Sequence, residues 1–156
     1  MTMILKSAVV VATLALASPL YAKPLSITVD MANFRGPPAY AAAYITDPNG
    51  QYVSTVYVAG HRGEYQADLR TWYRMIRRSG KGIDGTTGAS VGRGGQFSTT
   101  VNVPDNLLNA GYTLHVETGV EDYGIVPDDV VVPLSDANNG TPVRGQRNVA
   151  SATISY

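Results

Sequence analysis

The sequence predicts a mainly β domain, an antiparallel immunoglobulin-like β-sandwich with one short helix. Three observations carry this. Short runs of alternating apolar and polar residues recur along the chain, each closed by Gly, Pro, Asn or Asp. Two of the runs flank Asp47-Pro48-Asn49-Gly50, a strong hairpin turn. A single stretch has helical rather than strand spacing. Seven short strands with turn residues between them favour a sandwich.

The elements follow in order. Met1 to Ala22 reads as a cleaved signal peptide: Lys6 gives a positive start, Ala8 to Leu16 is apolar, and Ser18, Pro19 and Ala22 resemble a cleavage site. The apolar run is shorter than the roughly 20 residues a spanning helix needs. Leu20, two residues before Ala22, is larger than usual there, and an uncleaved anchor is the alternative. The chain has no cysteine, which excludes a lipid anchor on cysteine, disulfides and thiolate-held metals. Residues 23–156 then form one domain in the periplasm.

Within that domain, Leu25 to Met31 alternates and makes the first strand, broken by Gly36-Pro37-Pro38. Tyr40 to Thr46 and Gln51 to Val58 are the arms of the hairpin. Phe97 to Val103, Tyr112 to Glu117, Val130 to Leu134 and Val149 to Tyr156 complete the seven. Glu64 to Arg78 has no Gly or Pro, and Leu69, Trp72, Tyr73 and Ile76 fall at helical spacing. It reads as one helix, with Arg77 and Arg78 suited to its last turn and Gly80 ending it. Trp72, the only tryptophan, reads first as a core anchor and second as a ligand contact.

The formal net charge is zero, but the charges are segregated. Arg70, Arg74, Arg77, Arg78, Lys81 and Arg93 crowd one segment, with only Asp84 against them; Asp105, Glu117, Glu121, Asp122, Asp128, Asp129 and Asp136 make another wholly acidic. Either the two segments attract each other in the fold, or the basic one receives a phosphate or an anionic partner. Neutrality and export argue against nucleic acid.

The segment 79–95 is a Gly-rich loop, and in composition an exposed connector. Its order says more. Asp84, two residues, Thr87, Gly88, Ala89 and Ser90 follow the pattern Asp-x-x-Ser/Thr-Gly-Ala-Ser/Thr. This resembles the acceptor motif of proteins modified by ApbE-type flavin transferases, in which the last hydroxyl carries FMN through a phosphoester. Gly88 and Ala89 leave room for the acceptor backbone in a narrow cleft, and Ser90 supplies the nucleophilic oxygen. Lys81, Arg93 or Arg78, with backbone N–H groups, are candidates to hold the phosphate. Asp84 is expected to fix the loop through an Asx-type turn or to be read by the transferase.

The wider chain resembles a family of predicted periplasmic proteins of unknown function, often encoded beside PepSY-type membrane proteins and flavin transferases. Pro38 to Ile45, Asp68 to Tyr73, Asp84 to Ser90 and Gly111 to Glu117, with Glu121 after it, carry the resemblance. Ser90 stands where threonine is common, and Gly94-Gly95 stands where a proline-glycine pair is expected. The resemblance implies an extracytoplasmic electron-transfer flavoprotein with covalent FMN. Its implied donor is a PepSY-type membrane reductase, and its implied acceptor is ferric iron or another periplasmic species. Trp72, Tyr73, Tyr123 and Tyr65 are the candidate ring contacts.

Two other classes compete. One is a secreted binding module in which the Gly-rich segment is a mere connector. The other is a metal protein using His115, Glu117, Glu121, Asp122 and His61, though no recognisable ligand spacing supports it. No nucleophile elbow or metalloprotease helix is present, so no residue is assigned a hydrolytic role.

Overall fold

The computed structural model describes residues 20–156. The expected leader lies outside the described residues up to residue 19, and β1 (Ala22–Met31) begins at its last position. All seven expected strands form: β1, β2 (Tyr40–Thr46), β3 (Tyr52–Ala59), β5 (Gln96–Pro104), β6 (Thr113–Val120), β7 (Gly124–Pro133) and β9 (Val149–Ser155). Two more, β4 (Thr86–Gly88) and β8 (Val143–Arg144), are too short to show any period in sequence. The first half of β7 also escapes the pattern, because Pro127 interrupts it; the strand tolerates proline by lying at a sheet edge.

Two sheets stack as a sandwich. One has the order β5-β1-β9-β8, the other β4-β3-β2-β6-β7. Every pairing is antiparallel except that of β3 with β4. Leu25, Ile27 and Val29 of β1 meet Ile45, Val56, Leu114, Val116, Val130 and Ile154 in the core between the sheets.

β2 is buried along its whole length and explains the third layer. Ala41, Ala43 and Ile45 face the sandwich core, while Tyr40, Ala42 and Tyr44 face outward with Val58. Helices cover that outward face through Leu69, Trp72 and Ile76. The small Ala42 lets the Trp72 indole approach the sheet.

The helical stretch is two helices rather than the single expected one, α1 (Gly63–Asp68) and α2 (Arg70–Ser79). They part at Leu69, whose ψ of 72° lies outside the helical region and whose side chain is fully buried. The break frees the first N–H groups of α2, and a buried carboxylate takes two of them (below). At the other end Gly80 adopts φ 69°, the left-handed cap expected of it.

A second buried carboxylate ties β7 to the chain entering β9. Asp129 accepts the Thr118 hydroxyl at 2.6 Å and the backbone N–H groups of Gln146, Arg147, Asn148 and Val149 at 3.1, 2.8, 3.0 and 3.2 Å. The side chain has no exposure, yet both oxygens are satisfied. Asp129→Ala takes this acceptor from the Arg147, Asn148 and Val149 N–H groups, while Gln146 keeps its 2.7 Å bond to the Asp129 carbonyl, and is expected to destabilise the domain by at least about 3 kcal/mol. Chemical denaturation of the two proteins measures this; a change under about 1 kcal/mol contradicts the assignment.

Candidate functional site

Asp84 to Ser90 is not a slack connector. Its chain runs along the open side of β3 and is held at both ends. Asp84 reaches across to β3, where its Oδ1 accepts the Thr55 N–H at 2.8 Å and the Tyr52 hydroxyl at 3.3 Å. The Asx-type turn expected of it does not form; the carboxylate bonds to another strand instead. Gly85 lies against the backbone of Thr55 and Val56, where a Cβ would come within 2.7 Å of main-chain atoms. β4 then pairs with Tyr57 to Ala59, and the Gly88 carbonyl accepts the Gly60 N–H at 2.8 Å.

Beyond β4 the chain is fixed again. Val91 exchanges two backbone hydrogen bonds with Ala39, both 2.8 Å. Ala89 and Ser90 form a crest between these anchors, Ala89 exposed and Ser90 half-buried. The Ser90 hydroxyl lies beside Gly60, 3.2 Å from where a Cβ on that glycine would stand. Gly60 has φ 97°, so both its conformation and its neighbour select glycine. On the way out, Gly92 to Gly95 form a turn with Gly94 at φ 64°. A proline ring cannot adopt that angle, so the Gly94-Gly95 pair marks a different exit from the proline-glycine one expected.

The anchor of Asp84 extends into the helical layer. Glu117, fully buried on β6, accepts the Thr71 and Trp72 N–H groups at 3.2 and 2.8 Å, capping α2 from beneath. Trp72 Nε1 donates to Thr55 Oγ1 at 2.9 Å, and Thr55 Oγ1 lies 2.7 Å from the Tyr52 hydroxyl. An indole only donates and a carboxylate only accepts, so the protons run one way: Trp72 to Thr55, Thr55 to Tyr52, Tyr52 to Asp84. Burial is the main reason that the Tyr52 hydroxyl titrates above its ordinary range and stays a donor. Burial likewise raises the Glu117 carboxyl, against the lowering effect of the N–H groups it accepts.

The sequence-predicted residues fall into groups. Asp84, Thr87, Gly88, Ala89 and Ser90 are together on one edge, with Arg93 in the turn that follows. Lys81 stands at the Asp84 end of that edge, over the Tyr52 ring, and not with Ser90. Its Nζ donates to the Val53 carbonyl at 2.7 Å, at the start of β3, roughly 20 Å along the strand from Gly60 at about 3.3 Å per residue. Arg78 lines a cleft with Gly50, Gln51 and Tyr52 at that same far end. Trp72 has no exposed surface, so it cannot lie against an outward-facing ring; it acts through Thr55. Tyr73 belongs to an arginine-lined groove, and Tyr123 packs by Gly36.

Of the aromatic candidates, Tyr65 is nearest in connection to Ser90. It stacks on Tyr40 at 4.9 Å between ring centres, and the Tyr40 Cβ lies beside Gly60. The Arg62 guanidinium sits 5.8 Å from the Tyr65 ring centre. Arg62 follows Gly60 by two positions and Arg93 follows Ser90 by three, and both are exposed. Sequence patterns did not flag Thr55, Tyr52, Gly60 or Arg62; a glycine closing a strand was the one available hint.

Of the residues weighed for a metal, Glu117 and His115 are otherwise engaged, and among the described residues no group of three or more His, Asp or Glu side chains is placed to hold an ion. His115 and Glu117 do share a strand face, but Glu117 caps α2 and both His115 nitrogens are occupied, by Thr46 Oγ1 at 2.9 Å and Asp128 Oδ1 at 2.7 Å. The two charged segments do not pair by ion bridges either. Among the described residues the ion pairs are Arg62–Glu64 and His115–Asp128.

Two predictions follow from this geometry. Gly88→Ala drives a methyl group into the Tyr57 hydroxyl and is expected to cost about 1–3 kcal/mol, less in a Tyr57→Phe background; equal costs in both backgrounds refute the contact. Because Glu117 titrates above its ordinary value of 4.5, the stability tied to its protonated form is complete below that value and is lost as pH rises through the raised one. In pH-dependent unfolding, Glu117→Gln removes that decline, so its stability relative to the parent rises with pH; parallel curves contradict it.

Residues 22–151 match the family described as predicted periplasmic protein (DUF2271). No curated protein and no solved structure matches the chain.

Proposed function

The chain belongs to the DUF2271 family of predicted periplasmic proteins, and from that premise we propose that it is an electron-transfer protein carrying FMN esterified to Ser90. The observation that supports this reading is the anchored acceptor edge. A hydroxyl stands on a crest of small residues, fixed on one side by Asp84 and β4 and on the other by the Val91–Ala39 bridge.

The edge suits the group it would receive. The small, exposed Ala89 gives clearance for a transferase, Gly88 lets the chain pass against the Tyr57 hydroxyl, and the missing side chain of Gly60 leaves room beside the Ser90 oxygen. Arg93 and Arg62 supply positive charge for the phosphate at this end of the sheet, in place of Lys81 and Arg78. Tyr65, half-buried and backed by the buried Tyr40 ring, provides the aromatic surface that Trp72 does not.

Ser90 Oγ acts as the nucleophile on FAD held by an ApbE-type transferase. A bond forms between Ser90 Oγ and the phosphorus of the FMN half. The bond from that phosphorus to the bridging oxygen breaks, AMP leaves, and the serine proton passes to a base of the transferase. A fixed strand lowers the ordering cost of this alignment, because Ser90 need not be found among loop conformers. FMN then supplies one- and two-electron chemistry, and the chain's residues tune it by stacking and charge. Following the family resemblance, the donor is a PepSY-type membrane protein and the acceptor is ferric iron or another periplasmic species.

The test is a transfer reaction on the purified chain with FAD, magnesium and an ApbE-type transferase, read by intact mass and visible absorption. The parent and Ser90→Thr gain one FMN and turn yellow; Ser90→Ala does not. Thr55→Val, which loses the hydroxyl linking Trp72 to Tyr52 and Asp84, slows transfer about tenfold while the fold persists. An unmodified parent, or a modified Ser90→Ala, removes the redox reading and leaves an exported β-sandwich module.

A further inference from the structure

α1 is a ridge between two clefts of opposite sign. On one side Ala67 shares a groove with Arg70, Tyr73, Arg74, Arg77 and Arg78. On the other, Glu64 and Asp68 face Glu121 and Asp122 across Tyr40 and Tyr65. The four arginines are exposed and lie one or two helical turns apart, the spacing at which like charges repel. None of them forms an ion pair among the described residues, and neither do Asp68, Glu121 and Asp122; Glu64 has only the exposed contact with Arg62.

The rest of the acidic segment offers no relief. Glu117 and Asp129 are buried and bound to backbone N–H groups, Asp128 is taken by His115, Asp136 accepts the Tyr156 hydroxyl, and Asp105 lies in the turn after β5. With a formal net charge of zero, the molecule is polarised across this ridge rather than charged as a whole.

We propose that the helical layer docks a second copy of this chain around a two-fold axis on the ridge. Such an axis sets Arg74 and Arg77 of each copy against Asp68 and Glu121 of the other, so both halves of the face are matched at once. Arginine forks are suited to paired carboxylates. An acidic partner of another kind would match the groove and meet like charge in the neighbouring cleft. A bilayer would require inserted apolar residues, and the large exposed apolar side chains, Leu20, Tyr21, Ile83 and Tyr123, all lie outside α1 and α2. The inference does not rest on Ser90 or on any flavin, although Tyr65 borders both surfaces.

Sedimentation of the exported chain at low and high salt, with two charge-reversal variants, tests it. The parent dimerises, and raising sodium chloride from about 0.05 to 0.5 M weakens the association about tenfold or more. Arg74→Glu/Arg77→Glu and Asp68→Lys/Glu121→Lys are each monomeric, with circular dichroism matching the parent. Mixed in equal amounts, they form a heterodimer, because every contact then joins opposite charges. Monomeric parent protein at all concentrations, a salt-insensitive dimer, or a mixture that stays monomeric each overturns the proposal. So does a parent that stays monomeric while binding poly-glutamate or phosphatidylglycerol vesicles.

Discussion

The arrangement rests on one buried carboxylate. Glu117 stands on a central strand, out of contact with water, with its oxygens against the first N–H groups of α2. A carboxylate in that place must be matched by donors or driven neutral. The chain matches it by breaking its helix at Leu69, which turns α2 so that its N-terminus points down at the sheet. Leu69, Trp72 and Ile76 then fill the space over β2, where Ala42 leaves room. Without that acceptor, a continuous helix would keep its amides internally bonded and carry Trp72 elsewhere.

From Trp72 the constraint passes to the acceptor edge. The indole N–H orients the Thr55 hydroxyl, and Thr55 and Tyr52 together hold Asp84. Asp84 sets where β4 begins on β3, and β4 sets where Ser90 emerges. A buried carboxyl group on one strand is thus linked, through three hydrogen-bonded side chains, to the placement of a hydroxyl at the edge of the sheet. Functional groups are better placed on rigid elements than on free loops, and this edge is a strand held at both ends. The Asp129 hub does similar work on the inner side of the sheet, where one carboxylate satisfies the Thr118 hydroxyl and a run of backbone N–H groups.

Much of the fold was legible in the sequence, because strands with one face buried alternate visibly. β1 and β9 are such strands; β2, buried on both faces, was legible instead as one arm of the hairpin that Asn49-Gly50 announced. β4 and β8 were not legible, since two or three residues carry no period. The helix break was hidden for a different reason: Glu64 to Arg78 is locally a good helix, and the group that interrupts it lies 46 positions from Thr71 on another strand. The acceptor motif was readable as a word but not as a place. Lys81 seemed close to Ser90 along the chain, yet β3 separates them; Arg62 seemed remote, yet it follows the glycine against which Ser90 packs. Charge segregation was visible too, but the expected attraction between the two segments is realised through helix amides rather than through arginine side chains.

The most direct measurement is the mass of one peptide. Trypsin releases residues 82–93, which contain Asp84 through Ser90 and Arg93. In protein taken from the periplasm of cells with an active flavin transferase, that peptide is expected to carry one FMN, with fragmentation placing it on Ser90. Recovery of the bare peptide alone, or of FMN on Thr86 or Thr87 instead, contradicts the account.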